Sequence, residues 1–261
     1  MSVLLTIEDG IATLLISRAQ QKNALSLSMW GKLVDHIEEI KRAGAIVTVV
    51  RGAGHSFSAG GDLFEIAALE TLDQAMTYWL AIKTAVEAVA SLETPSIALI
   101  EGFCIGGGCR LALACDLRFA TKAARFGLPE AKLGLICDRA SVARLVHLIG
   151  PTGASEMLLS GELKTAEQAL RLGLINEIVT EDRLADHVNQ VARTLVRNDG
   201  AAVQRIKQIM FALNQEMTLG RHPRAVLSAS TDDEDRYIAE SFLAPTVKTR
   251  IKRLIGSSQL L

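Results

Sequence analysis

The chain has 261 residues, with 28 Lys+Arg against 29 Asp+Glu for a formal charge of −1; 49% of residues are hydrophobic and 22% charged. That balance excludes a disordered chain and any surface built on a large basic excess, such as a dedicated nucleic-acid or anionic-membrane face. Aromatics at 4% argue against base-stacking platforms, and no apolar stretch reaches the roughly 18–20 residues that a membrane helix needs.

The opening residues Met1-Ser2-Val3-Leu4-Leu5 lack a basic segment followed by a long apolar one, so a cytoplasmic protein is expected. Two apolar runs, Val3–Ile7 and Ile11–Ile16, flank Glu8-Asp9-Gly10, a hairpin signal. Trp30, Leu33, Val34, Ile37 and Ile40 recur at helical spacing, and Gly44 suits the end of that helix. Ala45–Val50 reads as a buried strand. Thr71-x-x-Gln74 is a capping box opening a helix with Trp79, Leu80, Ala85, Val86 and Val89. Ser96–Ile100 and Leu117–Ala120 read as further strands, and strands separated by helices imply parallel pairing in an α/β core. After about residue 150 helical patterns dominate, with one apolar run at Ile175–Val179, and the last ~60 residues read as helices alone. His222-Pro223-Arg224 and Thr231-Asp232-Asp233 are predicted bends. Cys104, Cys109, Cys115 and Cys137 match no common zinc spacing and read as reduced thiols packed as small hydrophobes; no metal site is expected.

Two glycine-rich segments carry chemistry. Ser58-Ala59-Gly60-Gly61-Asp62-Leu63 follows the strand ending at Val50, and Gly106-Gly107-Gly108 follows Ser96–Ile100. Glycines where a strand passes into a helix let the backbone approach a ligand and leave N–H groups unpaired, which suits a phosphate or a developing oxyanion. Neither segment has the lysine and Ser/Thr of a phosphate loop or the spacing of a dinucleotide fingerprint. Either one alone also reads as a tight turn with close packing.

Together, Arg51-Gly52-Ala53-Gly54-His55-Ser56-Phe57-Ser58-Ala59-Gly60-Gly61-Asp62-Leu63 and Pro95–Asp116 resemble the two signatures of the crotonase superfamily, the enoyl-CoA hydratase/isomerase enzymes. Lys22-Asn23-Ala24-Leu25 resembles the family's early substrate-side loop. Phe126-Gly127-Leu128-Pro129-Glu130 and Leu133-Gly134-Leu135-Ile136 resemble its catalytic segment, and Ala166–Gly173 with Leu174-Ile175-Asn176 a later element. The resemblance implies an α/β, crotonase-like (ββα)n spiral core over residues 1–200. A helical C-terminal extension, 201–261, would serve trimerisation and active-site cover. It implies homotrimers, often paired into hexamers, and an acyl-CoA substrate with no separate cofactor, coenzyme A being part of the substrate. The matching oxyanion amides are those of Gly61 and Gly107, where backbone donors aimed at transition-state charge contribute about 3 kcal/mol each. Lys22, Ala24, Ser58, Gly60, Leu63 and Lys248 match the CoA-binding surface.

The carboxylates select the reaction. Family hydratases carry two glutamates sharing a water; Glu130 matches the second, but Arg110 stands at the first, and a guanidinium is not a base. Asp138, eight residues after Glu130, matches an aspartate of the family's double-bond isomerases, and it is equally an N-cap for the helix containing Val142, Leu145 and Val146. Arg110 either neutralises Glu130 or Asp138 in an ion pair or holds a substrate carboxylate. Double-bond isomerisation with Glu130, and Asp138 as helper, is therefore expected over hydration. Decarboxylation of a carboxylated acyl thioester and non-catalytic acyl-CoA binding are the rivals. Asp62 with Glu65 is predicted to cap a helix, Asp116 with Arg118 to form a structural pair, and His55 to be structural.

Overall fold

The computed structural model describes residues 2–218 and 232–256. Strands β1 (Ser2–Glu8) and β2 (Ile11–Ser17) form the expected antiparallel hairpin. Asp9 and Gly10 at its tip have φ of 50° and 78°, the left-handed pair that a two-residue turn requires. Helix α1 (Leu27–Ala43) is capped by the Ser26 side chain and ends on Gly44 at φ 68°, burying Met29, Trp30, Leu33, Ile37 and Ile40. Strand β3 (Val47–Gly52) pairs parallel to β2. Helix α2 (Leu63–Ala68) follows, and then α3 (Leu72–Ala90), which opens on the Thr71/Gln74 capping box with both reciprocal bonds present.

Strand β4 (Ser96–Ile100) pairs parallel to β3. The short β5 (Phe103–Ile105) leads into α4 (Gly107–Ala114), and β6 (Leu117–Ala120) pairs parallel to β4. Next come β7 (Arg125–Gly127), α5 (Glu130–Leu133) and α6 (Arg139–Ser160), which is broken at Gly150, φ 71° and ψ 167°, with Pro151 restarting the helix. Then follow β8 (Lys164–Thr165), α7 (Ala166–Leu172), β9 (Glu177–Ile178) and α8 (Glu181–Arg197). The C-terminal region holds α9 (Gly200–Thr218), α10 (Asp232–Leu243) and α11 (Pro245–Gly256). His222-Pro223-Arg224 and Thr231 lie outside the described residues; Asp232 and Asp233 open α10 instead of a bend.

The main sheet has the order β1-β2-β3-β4-β6-β9 and is parallel from β2 onward. Its central strands are buried on both faces because strand side chains alternate and helices cover each side. Val47, Val49, Ile97 and Leu99 face Leu184, Val188 and Ala192 of α8, whereas Val50, Ala98 and Ile100 join the larger core with α1 and α3. A second sheet, β5-β7-β8, was not predicted. Strands of two or three residues are too short to show a period-2 pattern. This sheet fixes the site, because Ser58 bridges to Cys104 of β5: Ser58 N donates to Phe103 O at 2.8 Å and Ile105 N to Ser58 O at 3.0 Å.

Candidate active site

That bridge brings the two glycine turns together. Gly60 at φ 98° and Gly106 at φ 52° take left-handed conformations that a side chain would strain. A Cβ on Gly60 would lie 2.8 Å from Ile105 O and 3.2 Å from Gly107 N, and one on Gly107 would lie 3.6 Å from Gly61 N. The amides of Gly61 and Gly107 are therefore neighbours. Their directions follow from peptide planarity. Gly60 O accepts from Leu25 N at 2.7 Å, so the N–H of Gly61 in the same trans peptide points the opposite way. Gly106 O accepts from Arg110 N at 2.9 Å inside α4, so Gly107 N–H points out of that helix's N-terminus. Neither N–H donates to any group among the described residues. Two adjacent, fixed, unspent donors can stabilise one oxygen that gains negative charge.

The acidic side of the site is a triad of buried Arg110 and Glu130 with half-buried Asp138. Pro129 and the first turn of α5 place Glu130, 8% exposed, with Oε1 3.9 Å from where a Cβ on Gly106 would sit. Arg110 of α4 donates through one terminal nitrogen to Glu130 Oε1 at 3.0 Å and pairs through the other with Asp138 Oδ2 at 3.2 Å. Its guanidinium lies over the Trp79 ring, 5.3 Å from the centroid. Burial opposes its charge, but the acidic groups around it (Cys137, Glu130 and Asp138) outweigh burial and hold it above the usual arginine range. Asp138 spends its other oxygen on Ser141 N at 2.9 Å as the N-cap of α6. Glu130 Oε2, by contrast, is buried with no hydrogen-bond partner among the described residues. One carboxylate oxygen is thus left unspent beside the paired amides.

The remaining predicted positions fall as follows. Ser58 is fully buried, donates to Asn23 O at 2.8 Å and accepts from Gly60 N at 3.1 Å, so it braces the first turn. Lys22, at φ 47°, accepts Ala59 N on its carbonyl and lays its ammonium over Phe103, 4.5 Å from the ring centroid. Ala24 accepts from Arg18 at 3.3 Å, and Leu63 begins α2. Lys248 stands on α11, which packs against α2 and α5. Asp62 caps α2 through Phe64 N and Glu65 N and pairs with Arg18, but Glu65 leaves that cap and accepts from Leu27 N at 2.6 Å. Asp116 and Arg118 do not pair with each other: Asp116 takes Ser96 and Lys207, and Arg118 donates to the carbonyls of Leu174 and Ala112. His55 pairs with Glu181 at 2.8 Å on the exposed surface. Sequence reasoning took Trp30 and Trp79 as helix core and named Asn23 within the early loop without giving it a role of its own. Both Trp residues border the site, and buried Asn23 ties the early loop to Ala53 O and Ser56 O. The sequence marked that loop but not the bracing role of Asn23 within it, which rests on bonds to segments about 30 residues away and leaves no local pattern.

The sequence profile described as Enoyl-CoA hydratase/isomerase matches residues 6–238. The chain belongs to that family. It is 34% identical over 218 residues, 83% of this chain and 82% of the other, to a short-chain-enoyl-CoA hydratase of Clostridium acetobutylicum. It is 32% identical over 235 residues, 86% and 89% of the two chains, to a 2,3-dehydroadipyl-CoA hydratase of Escherichia coli. Among solved structures, an enoyl-CoA hydratase/isomerase from Xanthobacter autotrophicus superposes with a TM-score of 0.85 at 30% identity, over 99% of this chain and 95% of that one. The α/β crotonase fold with a helical C-terminal region is shared with these relatives. The protein is therefore an enzyme of the enoyl-CoA hydratase/isomerase family, and an acyl-CoA substrate is consistent with that membership.

Proposed function

We propose that this enzyme shifts the double bond of an enoyl-CoA through a thioester enolate, with Glu130 as its acid/base. Gly61 and Gly107 N–H donate to the thioester oxygen. Glu130 Oε2 removes a proton from C2 of a 3-enoyl-CoA, the electron pair delocalises over C2–C4 and the thioester oxygen, and the same carboxyl returns the proton to C4 as the 2-enoyl-CoA forms. No atom is gained or lost, and one base suffices. Asp138, spent on the α6 cap and on Arg110, serves as an anchor in this reading. Lys22, Ala24, Ser58, Gly60, Leu63 and Lys248 would form the CoA-binding side, and a homotrimer or hexamer would be the assembled form.

The observation that carries the preference is Arg110. Hydration by two glutamates needs a second carboxylate where this guanidinium stands, and a protonated guanidinium cannot activate water. The relatives named as hydratases supply the alternative. Decarboxylation is less favoured, because both terminal nitrogens of Arg110 are already engaged by Glu130 and Asp138. Incubation of 2-enoyl-, 3-enoyl- and 3,5-dienoyl-CoA esters in deuterated water distinguishes these readings. Isomerisation with exchange at C2 and C4, lost in Glu130→Gln, is expected; fast hydration of crotonyl-CoA without isomerisation would overturn the preference. A binder without catalysis would show no exchange at all.

A further inference from the structure

Gly61 poses a question that its backbone does not answer. Its φ is not positive, so no conformational need demands glycine there. What would meet a side chain is Tyr78 of α3: a Cβ on residue 61 would lie 3.0 Å from the Tyr78 hydroxyl and 3.2 Å from Ile66 Cδ1. Tyr78 is 1% exposed, and its ring is held edge-on by Phe242 of α10, with centroids 6.0 Å apart at 78°. Its hydroxyl accepts from Asp62 N at 3.0 Å and donates to Leu25 O at 3.3 Å. Asp62 N also donates to Leu25 O at 2.9 Å, and Leu25 N donates to Gly60 O at 2.7 Å. The peptides on both sides of Gly61 are thereby tied to Leu25, and the phenol closes the ring of bonds from behind.

We infer that Tyr78 is a positioning residue for the oxyanion hole, its hydroxyl occupying the space of a residue-61 side chain and fixing the Gly61 amide in line with that of Gly107; the inference rests on the enolate reading above. Burial first, and then the nearby Glu65, push the phenol's ionisation well above its ordinary range, so the hydroxyl stays a neutral donor at any working pH. A donor that drifts out of line loses part of the stabilisation that a preorganised oxyanion hole provides, because that stabilisation depends on fixed geometry.

Two variants and one spectroscopic probe test this. Tyr78→Phe keeps the ring and removes the hydroxyl; kcat should fall on the order of ten-fold while KM stays within about two-fold. Bound cinnamoyl-CoA, whose absorption moves to the red when its carbonyl is polarised, should shift less in Tyr78→Phe than in the wild type. Gly61→Ala should be more damaged than Tyr78→Phe, and the double variant should recover activity over Gly61→Ala, since removing the hydroxyl makes room for the new methyl. Unchanged kcat and band position in Tyr78→Phe would overturn the inference. So would a fall in kcat accompanied by equal losses of CoA affinity and melting temperature with the band unmoved, which marks a structural residue. If the wild type itself fails to shift the band, the enolate reading falls and the Tyr78 assignment with it; a wild-type shift matched by Tyr78→Phe overturns the Tyr78 assignment alone.

Discussion

Arg110 is a buried cation between buried Glu130 and half-buried Asp138, with side-chain exposures of 6% for Arg110, 10% for Glu130 and 14% for Asp138. Such a group is costly to break from one side, because the partners keep their desolvation penalty and lose their attraction. Arg110→Met should therefore lower stability by about 3–5 kcal/mol in urea unfolding, and adding Asp138→Asn should recover part of the loss by removing one unpaired charge. Full additivity of the two changes would mean that they do not share an interaction. A different physics governs Gly107. A Cβ there would fall 2.9 Å from Trp30 Cζ2 and 3.0 Å from Cη2, and this indole is fully buried, so it cannot yield cheaply. Gly107→Ala should cost about 1–3 kcal/mol of stability from overpacking and lower kcat by about 100-fold as the amide moves; steady-state kinetics on the 3-enoyl-CoA check it. The residue types of the site were legible in the sequence: both glycine turns, Glu130, and the substitution at Arg110. Their mutual arrangement was not, since nothing in the spacing of residues 110, 130 and 138 says that one guanidinium reaches both acids at once.

Local rules account for the elements that could be read in advance. The Asp9-Gly10 turn, the Gly44 stop and the Thr71/Gln74 box each specify a backbone conformation within four residues, and each is present. The β5-β7-β8 sheet escaped because its strands are held by pairing with distant segments and not by their own periodicity. The break in α6 shows the same local logic from the other side. Gly150 adopts φ 71° and ψ 167°, a region open essentially to glycine. Apart from its chain neighbours and its own helix backbone, nothing lies within 4 Å of a Cβ built on it, so a side chain there meets backbone strain but no clash with the surrounding structure. Gly150→Ala should thus cost about 1–3 kcal/mol from backbone conformation alone. Gly31, exposed inside α1 with equally open space, presents the opposite case: Gly31→Ala should stabilise by about 0.5–1 kcal/mol through helix propensity and a less flexible unfolded chain. Thermal unfolding of the pair, with shifts of opposite sign, checks both; a loss in Gly31→Ala would mean that this face of α1 is covered.

At the scale of the whole chain, a C-terminal helix closes on the site from more than 150 residues away. Asp235 of α10 accepts from Trp79 Nε1 at 2.8 Å through one oxygen and pairs with Lys83 at 2.7 Å through the other. Trp79 in turn carries the Arg110 guanidinium on its ring face, so α10 is linked through α3 to the Glu130 triad. Sequence periodicity could identify α3 and the helical C-terminal region, but contacts at separations of 152 and 156 residues leave no local pattern. The two bonds can be separated. Asp235→Asn keeps an acceptor for the indole while giving up the charge opposite Lys83, whereas Asp235→Ala leaves a buried Trp79 N–H without this partner, a loss of about 1–3 kcal/mol. Hydrogen exchange should therefore quicken in both α10 and the middle of α3 for Asp235→Ala, with kcat/KM falling as Trp79 loosens beneath Arg110, and Asp235→Asn should lie between it and the wild type. If only α10 loosens and the kinetics hold, then α10 covers α3 without supporting the triad, and the path from the C-terminal region to Glu130 stops at Trp79.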